Sequence, residues 1–429
     1  MGHPGTPASG QARVAYREPA GGGGPERLLV VVPFTPRRDL RHGGRVVAQL
    51  LERMAERRDV GVVHLQQHGE SGLEPSLAER CAITRAVEVP YRDERAARRR
   101  RRADVLLAPL RGLPSQVGAV YERRLVDACV DVSRSWAPDV IQVEHDQLAH
   151  CGWHLRRACD ARLVLTCHEP GLLASRDQAR VTSGRHALAH RLDAWSWRRY
   201  WRRYLPAFDV IVTFTDADRA IIEEFGIEVA VESIGLGIEI PSESLSAAGH
   251  GDPAIVFVGG YRHPPNADAA VRLIDSIMPE VRRRVPGLRL RIVGADPTPV
   301  MRARAGELDE ITGPVPAVEP LVDAALAMVL PLRLGGGMRV KLLEALAAGK
   351  AVVASPLAAA GLELVDGREL LFAEADADFV DAIVRLAGDQ RLRESLGAAA
   401  RDWAVRNLSW DARVARYERL YAGLLGQAS

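Results

Sequence analysis

Short apolar runs alternate with longer amphipathic stretches along most of the chain. Each run has the length of a strand that is buried on both faces, and the stretches between the runs show helical spacing. This alternation predicts parallel sheets with helices on both sides. In the first half, the predicted strands are residues 28–33, 60–65, 140–143, 163–166, 210–213 and 229–234.

The alternation stops at a small, polar stretch and then begins again. We interpret residues 242–252 as a linker between two Rossmann-like domains, residues 25–241 and 251–407. In the second domain, strands are predicted at 254–258, 288–293, 327–331 and 351–354, and helices at 266–284 and 340–348. Residues 1–24 are rich in Gly, Pro, Ala and Ser and predict a disordered tail. Residues 408–429 show helical spacing and predict a C-terminal helix. The predicted fold class is therefore α/β, with two doubly wound domains facing each other across a cleft.

Composition and charge exclude several classes of protein. The 429 residues are 47% hydrophobic and 26% charged, which is typical of globular domains and not of disordered chains. The 57 basic and 55 acidic residues nearly balance, so we expect no nucleic-acid partner held by bulk charge. No apolar run approaches the roughly 18–20 residues of a membrane span, and no apolar signal core is present. We therefore expect a cytoplasmic location with reduced cysteines.

The first candidate for ligand binding follows the first strand. Neither domain shows the Gly-x-Gly-x-x-Gly fingerprint or a Walker A loop. Gly43 and Gly44, however, stand where the loop after the first strand enters a helix. Glycines at a helix start let backbone N–H groups approach an anion, although an ordinary loop gives the same pattern.

The strongest candidate is the stretch LGGGMRVKLLEALAAGKAVVAS, residues 334–355. Glycines 335–337 follow a predicted strand and open a helix. Arg339 and Lys341 then place two cations beside that helix's N-terminus, where the helix dipole disfavours them unless an anion is bound. Only two lysines occur in the chain, which makes Lys341 notable. Glu344, one turn further on, is an acceptor suited to paired hydroxyls. The set indicates a site for a sugar nucleotide.

The same stretch resembles the donor site of the retaining glycosyltransferases of family 4, which have the GT-B fold. Further segments carry the resemblance over nearly the whole chain from residue 27. Those that resemble the donor domain are VFVGGYRHPPNAD (256–268) and LRLRIVG (288–294). Those that resemble the acceptor domain of one bacterial branch are PDVIQVEHDQLAH (138–150), VLTCHEPG (164–171) and VIVTFTDADRAII (210–222). LSWDARVARYERLY (408–421) resembles the last helix of that family, which crosses back to the first domain.

The resemblance implies that a sugar is transferred from a nucleotide-diphosphate donor with retention of anomeric configuration. In this interpretation Arg339 and Lys341 neutralise the departing phosphates and Glu344 binds the ribose. The implied donor site comprises Gly43, Gly44, Gly260, Gly336, Gly337, Met338, Arg339, Val340, Lys341 and Glu344. The family often has a first glutamate eight positions before the second, but Gly336 stands there in this chain. The contact with the transferred hexose is therefore left open.

Two histidines follow predicted strands of the first domain, at the edge where ligands bind. We favour His168 as the catalytic contact to the sugar or acceptor, and assign His145 and Glu169 to acceptor binding. A surface-loop role for His145 is the alternative. Glu144 or Asp146 is a weaker candidate for a base toward the acceptor.

We predict no metal and no resident cofactor, because fixed cations and a helix N-terminus stabilise a departing diphosphate on their own. Seven Cys and His residues between 145 and 168 invite a zinc site. They straddle a strand, a helix and another strand and contain no Cys-x-x-Cys pair, so convergence is not expected. Asp216 and Asp218 could be a metal-binding Asp-x-Asp, but a helix cap at Thr215 or Asp216 is the simpler interpretation.

The segment WSWRRYWRRY, residues 195–204, places four aromatic residues on one helical face and four arginines on the other. An ordinary amphipathic helix packed on the first domain gives this pattern, and so does a helix in peripheral contact with an anionic membrane. The arginine run 98–102 is a solvated segment or a contact near a lipid-linked acceptor.

The leading hypothesis is therefore a glycosyltransferase acting on a glycan, a lipid-linked acceptor or a small molecule. A sugar-nucleotide epimerase of the same fold is one alternative. A non-catalytic sugar-nucleotide-binding or scaffold protein is the other, and Gly336 is its best support.

Overall fold

The structure is a computed structural model that describes residues 27–38, 43–90, 103, 108, 111–335 and 339–426. Several sequence predictions fall outside the described residues. They are the tail at 1–24, the arginine run 98–102, residues 427–429, and Gly336, Gly337 and Met338 of the donor site.

A seven-stranded parallel sheet forms the first domain, in the order β3-β2-β1-β4-β5-β6-β7. Its strands are β1 (Leu28–Val32), β2 (Val60–Gln67), β3 (Ile83–Val89), β4 (Val140–Glu144), β5 (Arg162–Cys167), β6 (Val210–Thr213) and β7 (Ala230–Ser233). The helices described in this domain are α1 (Gly43–Ala55), α2 (Pro75–Arg80), α3 (Ser115–Val120), α4 (Arg123–Trp136), α5 (Ala149–Leu155), α6 (Gly171–Val181), α7 (Gly184–Tyr204) and α8 (Asp216–Glu224).

A six-stranded parallel sheet forms the second domain, in the order β10-β9-β8-β11-β12-β13. Its strands are β8 (Ala254–Val258), β9 (Arg289–Val293), β10 (Asp309–Gly313), β11 (Ala327–Leu330), β12 (Val352–Ala354) and β13 (Leu371–Phe372). The remaining described helices are α9 (Pro264–Arg272), α10 (Met278–Arg284), α11 (Pro299–Arg304), α12 (Glu319–Ala324), α13 (Val340–Ala347), α14 (Asp376–Gly388), α15 (Gln390–Leu408) and α16 (Trp410–Gly426).

The burial of strand β1 on both faces explains why all five of its residues are apolar. Leu28, Val30 and Val32 pack into a core that continues through α1 and α16 into the second domain. Leu29 and Val31 point to the other face and pack into a core confined to the first domain. Because neighbouring residues of a strand point to opposite faces, burial of both faces requires an unbroken apolar run. The predicted α/β fold with two Rossmann-like domains is confirmed.

Helix α16 crosses back from the second domain onto the first. The Trp410 indole donates to Gln49 Oε1 of α1 at 3.3 Å. Arg58 pairs with Glu418, and the Tyr421 hydroxyl donates to Gln142 in β4. The apolar core around α1 and α16 therefore joins the two domains, which fixes the walls of the cleft between them. The predicted C-terminal crossing helix is confirmed.

Three edge strands were not predicted from the sequence: β3, β10 and β13. An edge strand is covered on fewer sides and keeps polar residues, so its sequence lacks a continuous apolar run. The helix predicted at 266–284 is also interrupted, by a π-helical segment at Leu273–Ile277 between α9 and α10. Pro279 in the first turn of α10 has no N–H group to continue the preceding helix's hydrogen bonds. Over the described residues, no helix combines the length and apolar character that a membrane crossing requires.

Candidate active site in the interdomain cleft

Both sheets reverse their strand order at a point that faces the cleft. In the first sheet β1 lies between β2 and β4, and in the second β8 lies between β9 and β11. Ligands of open α/β sheets bind outside the carboxyl ends of the strands at such a switch point. The loops there carry the predicted site residues: Gly43, Gly44 and His145 in the first domain, and Gly260, Arg339 and Lys341 in the second.

Arg339 and Lys341 stand at the N-terminus of α13, as predicted. Arg339 is the N-cap residue, and Val340, also a predicted donor contact, begins the helix. Burial lowers the pKa of Arg339, while the charges of Glu169, Asp218 and Asp177 oppose that shift. These three carboxylates belong to the first domain, so the Arg339 guanidinium is directed into the cleft.

The Lys341 ammonium is held from two sides. Its Nζ donates to Asn266 Oδ1 at 2.6 Å and lies 4.8 Å from the centroid of the Phe257 ring. Burial and the nearby Arg339 lower the pKa of Lys341 to about 7. The second lysine of the chain, Lys350, instead donates to the backbone oxygens of Ser246 and Asp323 at 2.6 and 3.0 Å. Lys350 therefore links residues 242–252 to the second domain through hydrogen bonds, whereas Lys341 faces the candidate site.

Asn266, in the first turn of α9, connects this ammonium to the loop after β8. Asn266 Nδ2 donates to the carbonyl oxygen of Gly260 at 3.0 Å, so Lys341, Asn266 and Gly260 form one hydrogen-bonded chain. The neighbouring backbone is tightly packed, because a methyl group at Gly294 would lie 1.8 Å from the carbonyl oxygen of Gly259. Gly294 also has a φ of 137°, which favours glycine.

The N-terminus of α1 lies across the cleft from α13. Arg45, directly after Gly43 and Gly44, places its Nη1 3.3 Å from Glu344 Oε1. The backbone N–H groups of the first turn of α1 have no partners within the helix. The structure thus brings the predicted glycines and the predicted ribose acceptor to opposite sides of one gap. It pairs Glu344 with Arg45, a partner that the sequence did not indicate.

On the first domain, His168 is bonded to a buried carboxylate. Its Nε2 lies 2.5 Å from Glu144 Oε2, and Glu144 is only 1% exposed. The other oxygen, Oε1, accepts from Gln142 Nε2 at 2.5 Å. Gln142 Oε1 in turn accepts a hydrogen bond from the Tyr421 hydroxyl of the crossing helix α16. Because a carboxylate only accepts hydrogen bonds, Nε2 of His168 carries the proton that is donated to Glu144, and in this tautomer Nδ1 is an acceptor.

His145 stacks on His168, with ring centroids 3.8 Å apart, and meets Phe34 edge-on at 5.4 Å. Its φ of 70° is unusual for a residue other than glycine and indicates local backbone strain, which concentrates at functional sites. Burial and the neighbouring His168 lower the pKa of His145, so the ring is neutral. Its buried Nε2 has no hydrogen-bond partner among the described residues. A half-buried stacked ring does not match the alternative of a surface-loop histidine.

Glu169 joins the two halves of the site. Its Oε2 lies 3.9 Å from Nε2 of His263, which follows β8 in the second domain. Burial, Lys341 and Arg339 lower the pKa of His263 to about 4, so this contact involves a neutral ring at physiological pH. Glu169 also contributes its charge to the surroundings of Arg339. The predicted acceptor residue therefore faces the predicted donor cations.

The residues weighed for other chemistry have structural roles. Thr215 is the N-cap of α8, and its Oγ1 accepts from the Asp218 backbone N–H at 3.0 Å, which confirms the capping interpretation. Asp146 accepts from the backbone N–H of Gly171 at 3.0 Å and the Trp201 indole at 3.3 Å, and burial raises its pKa to about 7. All five cysteines lie in the described part of the chain and none forms a disulfide. Across the residues that the structure describes, no three His, Cys, Asp or Glu side chains form a group that could hold a metal ion.

The sequence predicted no site role for Arg45 and Asn266. Arg45 directly follows a predicted glycine pair, and Asn266 follows the two prolines that open α9, so their positions after strands were the available signal. Their partners are remote in sequence: Asn266 and Lys341 are 75 positions apart, and Arg45 and Glu344 are 299 positions apart. Only the folded arrangement reveals such pairs.

The two facing Rossmann-like domains define the GT-B class of fold. Residues 252–389 match the family described as Glycosyl transferases group 1. These residues contain the loop after β8, helix α13 and both candidate cations of the donor side.

Curated relatives and solved structures agree with this class. The chain is 31% identical over 227 residues to a GDP-mannose-dependent alpha-(1-6)-phosphatidylinositol monomannoside mannosyltransferase of Mycolicibacterium smegmatis, covering 46% of this chain and 58% of that protein. The chain thus spans a little over half the length of the curated relatives it matches first. The fold is similar to sucrose-phosphate synthase from Thermosynechococcus elongatus, with a TM-score of 0.70 at 16% identity over 94% of this chain and 100% of that one. It is also similar to Anabaena HepE in complex with UDP and glucose, with a TM-score of 0.61 at 12% identity over 92% and 99% of the two chains.

Proposed function

We propose that this protein is a retaining, metal-independent glycosyltransferase of family 4 that moves a sugar from a nucleotide-diphosphate donor to an acceptor. One observation carries the proposal: Arg339 at the N-terminus of α13 lies close enough to Glu169 to interact with its charge, and Glu169 directly follows His168, the partner of Glu144. The cations at the N-terminus of α13 suit a leaving diphosphate. The His168–Glu144 pair suits the sugar and the acceptor hydroxyl that replaces the diphosphate.

The proposed chemistry follows from where charge develops. Breaking the bond between the anomeric carbon and the diphosphate leaves negative charge on the phosphate oxygens. Arg339, Lys341 and the first-turn N–H groups of α1 and α13 are fixed around the position where that charge would form. The open Nε2 of His145 and the Nδ1 of His168 are polar atoms for the sugar or the acceptor. Retention of configuration rests on the resemblance of residues 339–349 to the family's donor loop.

The relatives suggest which donor and acceptor to try first. The Mycolicibacterium smegmatis relative is named as GDP-mannose-dependent and as acting on a phosphatidylinositol mannoside. We therefore propose GDP-mannose as the first donor and a glycan or lipid-linked hydroxyl as the first acceptor class, with a small-molecule acceptor as the other class to be tested. The proposed setting is the cytoplasm, with any membrane contact peripheral.

The test combines donor binding with turnover on the full chain in the presence of a metal chelator. A thermal-shift panel of GDP-mannose, UDP-glucose and ADP-glucose should single out one donor. A ligand at about 100 times its Kd stabilises the folded state by roughly 2.7 kcal/mol, which gives a clear shift. With that donor and a lipid extract, we expect release of nucleoside diphosphate and a product that keeps the anomeric configuration in its NMR spectrum.

Other outcomes would contradict the proposal in different ways. Conversion of the donor sugar without release of nucleoside diphosphate indicates an epimerase. A thermal shift without any turnover, across glycan, lipid-linked and small-molecule acceptors, indicates a sugar-nucleotide-binding protein. Turnover only after a divalent metal is restored contradicts the metal-independent mechanism.

We predict that donor affinity falls as pH rises through the neutral range. The unliganded Lys341 has a pKa of about 7, and a bound diphosphate would raise it, so the protonated lysine is the form that binds. By linkage, binding takes up a proton above pH 7, and Kd should rise about tenfold per pH unit between pH 7 and 9. Below pH 6 the lysine is already charged, and Kd should be constant. Calorimetry with the nucleotide sugar in buffers of different ionisation enthalpy measures both the affinity and the proton uptake.

The Lys341→Arg variant is the matched control, because an arginine stays charged over this range. It keeps Lys350, whose pKa burial lowers to about 8, so any slope due to that second lysine remains. We expect the pH slope to disappear in Lys341→Arg. An identical slope in wild type and variant would show that Lys341 does not meet the diphosphate.

A further inference from the structure

An exposed apolar ridge runs along the outer side of α7. Leu188, Leu192 and Trp195 are 58%, 50% and 55% exposed. Spacings of four and three residues place them on one face of the helix, and we call these three residues the α7 ridge. Elsewhere in the described part of the chain, the exposed large hydrophobic residues are dispersed over separate elements and loops. They are Tyr121, Val300, Leu357, Val365 and Val405.

The opposite face of α7 holds the helix on the protein. Trp197, Tyr200 and Trp201 are buried there, and the Trp201 indole donates to the buried Asp146. Asp193, also buried, accepts from the Ser115 backbone N–H and the Ser175 hydroxyl, both at 2.7 Å. The helix is therefore anchored without the ridge, and the fold does not account for the ridge's apolar character.

The charge around the ridge is strongly one-sided. Helix α7 contains six arginines against one aspartate, whereas the whole chain has a net charge of only +2. All six arginines are exposed, and at 100° per residue they lie within about a quarter turn of the ridge. They are Arg185, Arg191, Arg198, Arg199, Arg202 and Arg203. An apolar ridge bordered by cations matches an interface that is anionic at its surface and apolar beneath it.

The ridge lies beside the acceptor side of the cleft. Helix α6 starts at Gly171, three residues after His168, and a methyl group at Gly171 would lie 2.2 Å from the Trp197 ring. The 13 residues of α7 before Trp197 therefore extend roughly 20 Å beyond that point, alongside α6. On α6, Asp177 is close enough to Arg339 to affect its pKa. Helix α6 thus faces the candidate site, and α7 carries the ridge on its outer side.

We propose that the α7 ridge and its bordering arginines dock this protein on a bilayer rich in anionic lipid. Three half-exposed side chains offer only a few hundred Å², well below the roughly 800 Å² per partner of a stable protein interface. Shallow insertion into a lipid surface needs no larger apolar area, because the arginines add electrostatic attraction to the headgroups. The tryptophan suits the headgroup level, where an apolar ring with a polar N–H is favoured. This docking is independent of whether the cleft transfers a sugar.

Sedimentation of the full chain with vesicles, without any donor, tests the proposal. We expect binding to vesicles of equal parts phosphatidylcholine and phosphatidylglycerol, weaker binding at high salt, and little binding to phosphatidylcholine alone. The triple variant Leu188→Ser, Leu192→Ser, Trp195→Ser should lower the partition coefficient at least about tenfold. The matched control Val300→Ser, Val365→Ser, Val405→Ser changes three exposed apolar residues elsewhere and should bind like wild type.

A second variant tests the contribution of the arginines that border the α7 ridge. Arg191→Gln, Arg198→Gln, Arg202→Gln should weaken binding to the anionic vesicles and reduce its salt dependence. Equal binding by wild type and ridge variant, or no binding of wild type to anionic vesicles, would overturn the proposal. So would a wild-type dimer in sedimentation velocity that the ridge variant lacks, because the ridge would then cover a second copy of this chain. Far-UV circular dichroism verifies that each variant is folded.

Discussion

Replacing Arg339 by alanine is expected to slow sugar transfer by a factor of about 10²–10³, the range found when one fixed donor to a developing anion is removed. The guanidinium stands at the N-cap of α13 and is directed into the cleft among carboxylates of the first domain. It occupies the position where the departing diphosphate gains charge in the proposed reaction. Because that charge grows toward the transition state, the loss should appear mainly in kcat.

Lys341→Met is the companion change on the same side of the site. Methionine keeps an aliphatic chain over the Phe257 ring but removes the ammonium that Asn266 holds. A hydrogen bond to a charged group contributes about 1.5–3 kcal/mol, so donor affinity should fall roughly 10- to 100-fold. Stopped-assay kinetics and calorimetry separate this loss of binding from the loss of kcat in Arg339→Ala.

The matched control is Arg304→Ala in the same domain. Arg304 is the last residue of α11 and pairs with Asp275 of the interrupted helix. The substitution therefore removes an arginine and an ion pair outside the predicted donor site. Its kinetics should equal those of wild type. If Lys341→Met binds the donor as tightly as wild type, the assignment of the donor site is wrong.

The central strands were predictable because burial on both faces demands an apolar run, as in β1, β4 and β8. Two edge strands were not, because β3 and β10 mix polar and apolar residues and pair with a single neighbouring strand. The π-helical interruption between α9 and α10 was also not predicted from the sequence. The apolar residues at 269, 273, 277 and 281 recur every four positions, a spacing that a continuous α-helix also gives, although Pro279 marked the position where hydrogen bonding had to change.

The candidate site was predictable to the extent that it lies at strand ends. His145, His168 and Arg339 follow strands or open a helix, and the resemblance to a family assigned their roles. The partners of these residues were hidden, because the Glu144–His168 and Arg45–Glu344 pairs join residues on separate elements. Which of several polar residues after a strand meets which other depends on the order of strands in the sheet. That order reversal, at β1 and β8, is a property of the fold and not of any local pattern.

Glu144→Gln is expected to lower kcat by a factor of about 10²–10⁴ while donor affinity stays near that of wild type. Glutamine fills the same space, and its carbonyl can still accept from Gln142. Its amide, however, would donate to Nε2 of His168 where the carboxylate accepts, which moves the ring proton to Nδ1. The Nδ1 atom of His168 would then donate to the sugar or the acceptor, whereas in the wild-type tautomer it accepts. Glu144 thus acts as a positioning residue, and the loss should fall on kcat and not on KM.

Two further variants make this prediction specific. Glu144→Asp keeps the carboxylate on a shorter side chain and should recover part of kcat, which a purely packing role for Glu144 would not produce. Glu369→Gln removes another buried carboxylate, which accepts from the Val365 backbone N–H at 2.9 Å in the second domain, and should leave kcat unchanged. Equal kcat values for Glu144→Gln and wild type would remove His168 from the proposed chemistry. Because the vesicle-binding test uses no donor, such a result would leave docking through the α7 ridge intact, so the cleft and the ridge can be tested separately.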